Sequence, residues 1–597
     1  MVYAREMFLL AALANASPLV VHTESVTLSP IETWTTVAKK GSLTASRGRV
    51  GWAPGTVASL CSTPVPVDTG HTLLLKGKFR GDADLGDVTA VHLHAGAGGK
   101  DLHVARRRID PGDHGWEDLE IRATAPAGTD EAWVCVEAMM QDTTHLGGLR
   151  FEPFSLQEIT AESRSARLPL PRIILVSIEA FRRDHVSAYG YPRATTPILD
   201  ALIAGGASLD QHFAQAPYTH PSLATLVTGQ LPTTLGFSDN TPSPILANAF
   251  RTAAERFADA GYVTASFNVQ YVLSNRYGLN RGFHYYRNHP NDVAATTLEA
   301  ELYPWLDEHG ADNSFVWVHL FEPHGPYRPP ASIRARFEGD AVWNADTMRL
   351  QNSPAATEGV PLIPNYVYDR DDFERRHYVA GYDGDIYTAD AAIGRLVKFV
   401  KDHGWEKDTL IVVTADHGES MTDHDRYFSH GSLYNHDLHV PMVFWAPGRV
   451  TPGRKVTAHT GHIDVLPTLM DYAGLPADAS ILGQSMKGLL DGETARRTSP
   501  FTVGMVGRSD RRRYALMGGG GTKVVVDRVG RLLEVYELLT DPLELHNLVG
   551  AGAQKAQEMA SLFASQMLPN IEKSVDPKTQ ALDPEDIERL RALGYLE

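Results

Sequence analysis

Cysteine is nearly absent from this 597-residue chain, which holds only Cys61 and Cys135. That excludes a thiolate metal cluster and a framework of several disulfides, while a single bridge between the two stays open. Long apolar runs are missing too. No stretch reaches the ~20 apolar residues that a membrane-spanning helix requires. Basic residues are outnumbered, 55 Lys and Arg against 72 Asp and Glu, giving a formal charge of −17. With no long basic block, this argues against a general nucleic-acid or anionic-membrane binder.

What is present suffices for large cores, since 43% of the residues are hydrophobic and 21% charged. Two or three domains are expected at this length. Residues 1–23 open with an apolar core from Met7 to Ala14 and an Ala-Asn-Ala sequence ending at Ala16, the pattern of a short signal segment. Glu6 offsets the charge of Arg5, so the pattern is a poor example of its kind. The expectation is a secreted, periplasmic or cell-surface protein.

Residues 24–160 alternate short segments such as HTLLLKGKFRG, WEDLEIRATAP and EAWVCVEAMM with Gly, Pro and Asp turns. That rhythm predicts an antiparallel β-sandwich. The order PVPVDTGHTLLLKGKFRG, then HGWEDLEIRATAPAGTDEAWVCVEA, resembles the jelly-roll modules found beside carbohydrate-active enzymes, which implies an accessory module. Trp34, Trp52, Trp116 and Trp133 are candidates for stacking on sugars, although tryptophans in a small sandwich more often belong to its core. Residues 161–171 are polar and proline-containing, the composition of a linker. From 172 to 500 strands alternate with helices, with strands at IILVSIEAF, YVTASFNV, SFVWVHLF, TLIVVTAD and HVPMVFWAP. This predicts an α/β domain with a mostly parallel sheet flanked by helices, whose ligands gather at the carboxyl ends of the strands. Residues 501–597 predict a small antiparallel subdomain closed by a helix from Ala553 to Met567.

Chemistry concentrates at those strand ends. Glu179 follows IILVSI and Asp416-His417 follows TLIVVTA. Carboxylates ending such apolar strands need a cation or hydrogen-bond donors. In APYTHPSLATLVTG, Thr219 precedes Pro221 and a helical apolar run, so its hydroxyl falls in the first turn of a helix. There it either caps the helix or benefits from free N–H groups and the helix dipole as a reacting oxygen. Asp, Glu, His and a hydroxyl together make a hard site for one divalent ion, Mn²⁺, Mg²⁺, Ca²⁺ or Zn²⁺, with Mn²⁺ preferred. Asp390 suits a buried helix position rather than a second metal site.

From Arg172 to the C-terminus the chain resembles the sulfatase branch of the alkaline phosphatase superfamily. The resemblance is carried in order by RIILVSIEAFRRDHVSAYGYPRATTPILDALIAGG, APYTHPSLATLVTG, VHLFEPHGPY, VVTADHGESM, SHGSLYNHDLHVPMVFWAPG, HIDVLPTLMDYAGLP, LEVYELLTDPLELHNLV and RLRALGYLE. It implies Glu179, Asp416 and His417 as metal ligands and Thr219 as both ligand and nucleophile. It also implies His324 and His430 as contacts to the transferring group or the leaving oxygen. His220, His319 and His436 lie nearby without an assigned role.

Two departures matter. Sulfatases carry C-x-P-x-R or S-x-P-x-R, whose first residue becomes formylglycine; here the block is Thr219-His220-Pro221-Ser222-Leu223, and the arginine is missing as well. The usual first aspartate is replaced by Glu179. Thr with Glu is similar to the pattern of lipoteichoic acid synthase-type phosphotransferases and of the superfamily's phosphodiesterases. The resemblance therefore implies cleavage or transfer of a phosphate ester, foremost a phosphodiester, on a small molecule or glycan. Two alternatives stay open: a sulfuric ester hydrolase acting without formylglycine, and a catalytically silent glycan-binding surface protein. Specificity is expected in loops such as Ala331 to Arg376, and the sequence leaves the oligomeric state open.

Overall fold

The chain forms two compact units, Met1–Ala166 and Arg167–Glu597. The computed structural model describes residues 23–159 and 170–571 apart from internal stretches, the longest being 339–347 and 353–361. The expected signal segment and most of the expected linker lie outside the described residues.

The first unit holds two antiparallel sheets, one of seven strands and one of six. Alternating apolar residues, among them Leu60, Leu73, Leu75, Val91, Leu93, Val134 and Val136, are buried in it. Strands Val57–Cys61 and Glu131–Met139 pair with Cys61 directly opposite Cys135, and the two cysteines form a disulfide. Trp133 stacks on His94 at 5.5 Å between ring centroids. The side chains of Trp34, Trp52 and Trp116 lie outside the described residues.

The second unit is built on an eight-stranded sheet. From one edge to the other it runs Tyr285–His289, Val263–Val269, Ser314–Leu320, Arg172–Ile178, Thr409–Ala415, Met442–Trp445, Ala207–Phe213 and Arg454–Gly461. Only Met442–Trp445 runs antiparallel to its neighbours, so the sheet is mostly parallel. The continuous apolar runs of its central strands follow from burial on both faces. In Arg172–Ile178, Ile173 and Leu175 enter one core while Ile174 and Val176 enter the other. Phe315 and Trp317 against Val316 and Val318 repeat the division one strand over.

Sequence patterning finds these central strands and misses Ala207–Phe213 and Arg454–Gly461. The first has Asp210, Gln211 and His212 in mid-strand, and the second is a polar edge strand. Near the C-terminus, strands Phe501–Val506, Arg513–Gly518, Thr522–Asp527 and Leu532–Glu537 form an antiparallel sheet. The helix Gln554–Leu562 and the turn after it cover that sheet through Met559 and Phe563, in one cluster with Tyr514 and Val524.

Asp390 lies within the 28-residue helix Arg375–Asp402 and accepts the backbone N–H groups of Ile198 and Leu199. It thus serves the free donors at the start of the helix Pro197–Gly205.

A second buried polar device is Arg182, whose guanidinium bonds Asp184, the Glu419 carbonyl and Asp423 Oδ2, the last at 2.6 Å. Burial by itself would raise the Asp423 pKa; the Arg182 charge overrides it and holds the carboxyl well below the usual range. A depressed folded-state pKa means stability that is present above the unfolded value of ~4 and lost as pH falls further. Arg182→Met is therefore expected to cost about 3 kcal/mol at neutral pH. The deficit should shrink in acid, as chemical denaturation at pH 7 and pH 3 would measure.

Candidate functional site

Parallel pairing assembles the site. Ile178 lies opposite Ala415 in register, so the next residues of the two strands, Glu179 and Asp416, emerge side by side at the carboxyl edge. The Asp416 N–H donates to the Ile178 carbonyl at 3.1 Å, extending the ladder one step. On the other flank His319 lies opposite Ser177. Behind Asp416-His417 the chain passes so near another segment that a Cβ at Gly418 would sit 1.9 Å from the His436 carbonyl oxygen. Only glycine fits there.

Thr219 opens the ten-residue helix Thr219–Thr228, all of it buried. The N-cap is Tyr218 and makes no side-chain cap bond, so the threonine is the first helical residue and not the cap. The helix stops at Gly229, whose φ of 66° is left-handed and whose N–H returns to the Thr225 carbonyl. One turn in, Ser222 Oγ donates to the Asp416 carbonyl at 2.6 Å and meets His462 Nδ1 at 3.0 Å, tying the helix to the strand end.

The expected ligands come together. Thr219 Oγ1 donates to Glu179 Oε1 at 2.5 Å and lies 3.4 Å from His417 Nε2. His417 Nε2 is 3.8 Å from Glu179 Oε1 and 3.4 Å from Asp416 Oδ2. Glu179, Asp416 and His417 are fully buried and form a group able to hold a metal ion. Three details of the donor set fit a cation. Asp416 Oδ1 takes the N–H groups of Ala180 and His417, while its buried Oδ2 makes no hydrogen bond. Burial, and then the charge of Glu179, push the Asp416 carboxyl up to about 7, so the pocket resists two uncompensated negative charges. His417 Nδ1 donates to the Gly418 carbonyl at 2.7 Å, which leaves Nε2 as the lone-pair nitrogen.

Histidines line the rest. His430 stacks toward His417 with ring centroids 4.4 Å apart, and His324 lies 5.9 Å from His430. His324 Nδ1 donates to the Gly325 carbonyl, and Tyr366, from the segment expected to govern specificity, lies beside its ring. Burial lowers His324 and His417 to about 3, and His319 and His430 to about 4, so all four are neutral at pH 7. His220 and His436 have other surroundings. His220 packs between Phe237 and Tyr277 with neither ring nitrogen hydrogen-bonded, and His436 bonds Ser432.

His319 has more structure around it than sequence reasoning assigned. Its Nε2 meets Glu179 Oε2 at 2.7 Å and its Nδ1 meets Ser177 Oγ at 2.8 Å. Inside a strand, the histidine of VHL carries no pattern that separates it from a core residue.

The loop carrying His430 is held from two sides. Asp437 Oδ2 accepts the N–H groups of Gly431 and Ser432. Farther along, the Asn435 N–H donates to Glu544, and buried Lys523 reaches both Glu544 and Asn435. Lys523 and Glu544 belong to the C-terminal region.

A mostly parallel sheet with a buried threonine at the start of a helix and a carboxylate–histidine cluster at its carboxyl edge is the arrangement of an ester hydrolase of the alkaline phosphatase superfamily, in its sulfatase-like branch. The profile named Sulfatase matches residues 171–475. The chain belongs to the sulfatase family. Among curated relatives it is 22% identical over 432 residues to the Delta 4,5-hexuronate-2-O-sulfatase of Bacteroides thetaiotaomicron, covering 63% of this chain and 84% of that protein. It is 26% identical over 332 residues to human arylsulfatase A, covering 51% and 64%. Among solved structures, the phosphonate monoester hydrolase of Agrobacterium radiobacter superposes with a TM-score of 0.55 at 24% identity, covering 66% of this chain and 94% of that one.

Proposed function

We propose that this chain is a metal-dependent hydrolase or phosphotransferase that cleaves a phosphate ester, foremost a phosphodiester, through a covalent intermediate on Thr219. The observation that carries this reading is the Thr219 hydroxyl, 2.5 Å from Glu179 and 3.4 Å from His417 at the start of a buried helix. Glu179, Asp416, His417 and Thr219 would hold one divalent ion. Four donors, one of them nitrogen, suit Mn²⁺ or Zn²⁺ better than Ca²⁺ with its six to eight oxygens. The ion, when bound, supplies positive charge to the transferring oxygens and lowers the pKa of the hydroxyl.

The chain's own groups supply the remainder. Thr219 Oγ1 forms the new bond to phosphorus as the bond to the leaving oxygen breaks. The proton that Thr219 loses equals the one that the leaving oxygen gains, and a neutral imidazole, His324 or His430, can hold it between the two. Water or an acceptor alcohol then attacks the phosphothreonine by the same route, and Oγ1 regains its proton. A threonine ester cannot collapse to an aldehyde as a formylglycine hydrate does, which favours phosphoryl over sulfuryl transfer.

The relatives support a second reading, hydrolysis of a sulfuric ester without formylglycine, because curated proteins similar to this chain are named sulfatases. A panel of an aryl sulfate, a phosphate monoester, a phosphodiester and a phosphonate monoester separates the two. The phosphodiester is expected to give the highest kcat/KM; an aryl sulfate turned over faster would replace the first reading with the second.

A glycan-linked substrate is supported by the sandwich unit with its Trp133–His94 stack and by the glycan-active relatives. The Cys61–Cys135 bridge supports a secreted, periplasmic or cell-surface location, since structural disulfides persist in oxidising compartments.

A further inference from the structure

His319 stands in a hydrogen-bond chain that runs from Trp317 through Ser177 to Glu179. Trp317 and His319 lie two residues apart on one strand and so face the same side of the sheet, toward Ser177 on the neighbouring strand. The indole N–H of Trp317 can only donate, and it donates to Ser177 Oγ at 2.9 Å. Ser177 therefore has its own proton free for His319 Nδ1, 2.8 Å away. With Nδ1 accepting, a neutral imidazole carries its proton on Nε2, which donates to Glu179 Oε2 at 2.7 Å. Trp317, Ser177, His319 and Glu179 are all essentially inaccessible to solvent. The Nε2–H tautomer is the one that gives the Glu179 carboxylate, which also accepts from Thr219, a donor at 2.7 Å.

We propose that His319, oriented by Ser177 and Trp317, is a positioning residue that decides which oxygen of Glu179 serves the metal site. With Oε2 turned to the imidazole, Oε1 is the oxygen that faces Thr219 and His417 and would serve an ion there. The plane of the Glu179 carboxylate is thereby set from behind by a neutral donor. The chain also gives a reason for glutamate at this strand end. The side chain must reach Thr219 with one oxygen and His319 with the other, and aspartate is one methylene shorter. The proposal rests on the metal-site reading given above.

The test is metal affinity of the full-length protein, measured by competition of Mn²⁺ or Zn²⁺ against a chromophoric chelator. His319→Leu, which fills the volume without a donor, is expected to weaken binding about 10- to 100-fold, the range for loss of an outer-sphere partner. His319→Gln, whose amide N–H₂ replaces the Nε2–H donor, should recover most of that loss. Unchanged affinity in His319→Leu, or equal losses in the Leu and Gln variants, would overturn the proposal. Thermal midpoints of the metal-free proteins identify a variant that fails to fold, and Ser177→Ala then takes its place with a smaller expected loss. Independently of metal, ¹⁵N NMR of histidine-labelled protein should find His319 as the Nε2–H tautomer; the Nδ1–H tautomer defeats the idea. A wild-type protein that takes up neither ion defeats the metal reading and the proposal together. One that binds while His319→Leu binds equally well defeats the proposal alone.

Discussion

Thr219→Ala is expected to lower kcat/KM by ~10⁴-fold or more, the scale on which removal of a covalent nucleophile acts when the surrounding site is kept. Thr219→Ser, which retains the hydroxyl on the same helical turn, should keep measurable turnover. Because Thr219 is also proposed as a ligand, metal content must be measured in the alanine variant. Loss of turnover with metal still bound isolates the nucleophile, whereas loss of both assigns the effect to the site as a whole. Acid quench during turnover of a slow phosphodiester should leave a phosphoryl group on the peptide that contains Thr219. Near-wild-type activity in Thr219→Ala would remove the threonine from the mechanism.

Removal of the divalent ion should have an effect of similar size. The buried carboxylates of Glu179 and Asp416 stand side by side, and burial with the Glu179 charge holds Asp416 up to about 7. A cation relieves that repulsion and fills the side of Asp416 Oδ2 that makes no hydrogen bond. Chelation is expected to abolish turnover, and titration with Mn²⁺ or Zn²⁺ to restore it. An ion at ~1,000 times its Kd adds ~4 kcal/mol to the folded state, which corresponds to a rise in Tm of about 4 °C for a unit of this size. Asp416→Asn should lose most of that rise. Full activity after exhaustive chelation, with no metal detected by elemental analysis, would defeat the reading.

Where the sequence was legible, burial on both faces made it so. IILVSI and TLIVVTA read as central strands of a covered sheet, and the acidic residue after each run, Glu179 and Asp416, marked the functional edge. The fold class and the sulfatase-like branch followed from those runs and from the motif blocks around them. Ala207–Phe213 escaped because its mid-strand residues are polar and find partners that are remote in sequence, as His212 does in Thr460. Thr219 by itself read more readily as a helix cap than as a reacting group, because one sequence position separates cap from first helical residue, and only the motif blocks around it favoured the second role. His319 was illegible for another reason. Its role depends on Ser177 and Trp317, a serine and an indole that carry no chemical signal until strand pairing sets Ser177 opposite His319, within reach of the indole.

The clamp that Lys523 and Glu544 place on Asn435 bears on how such a chain can be inherited or recombined. The match to the Sulfatase family model ends at residue 475, yet the loop presenting His430 is anchored by residues beyond that point. A fragment cut at the family boundary would keep every proposed ligand and lose the brace behind one wall of the pocket. The smallest portable unit of this enzyme is therefore longer than residues 171–475, and grafts or chimaeras should carry the C-terminal sheet with them.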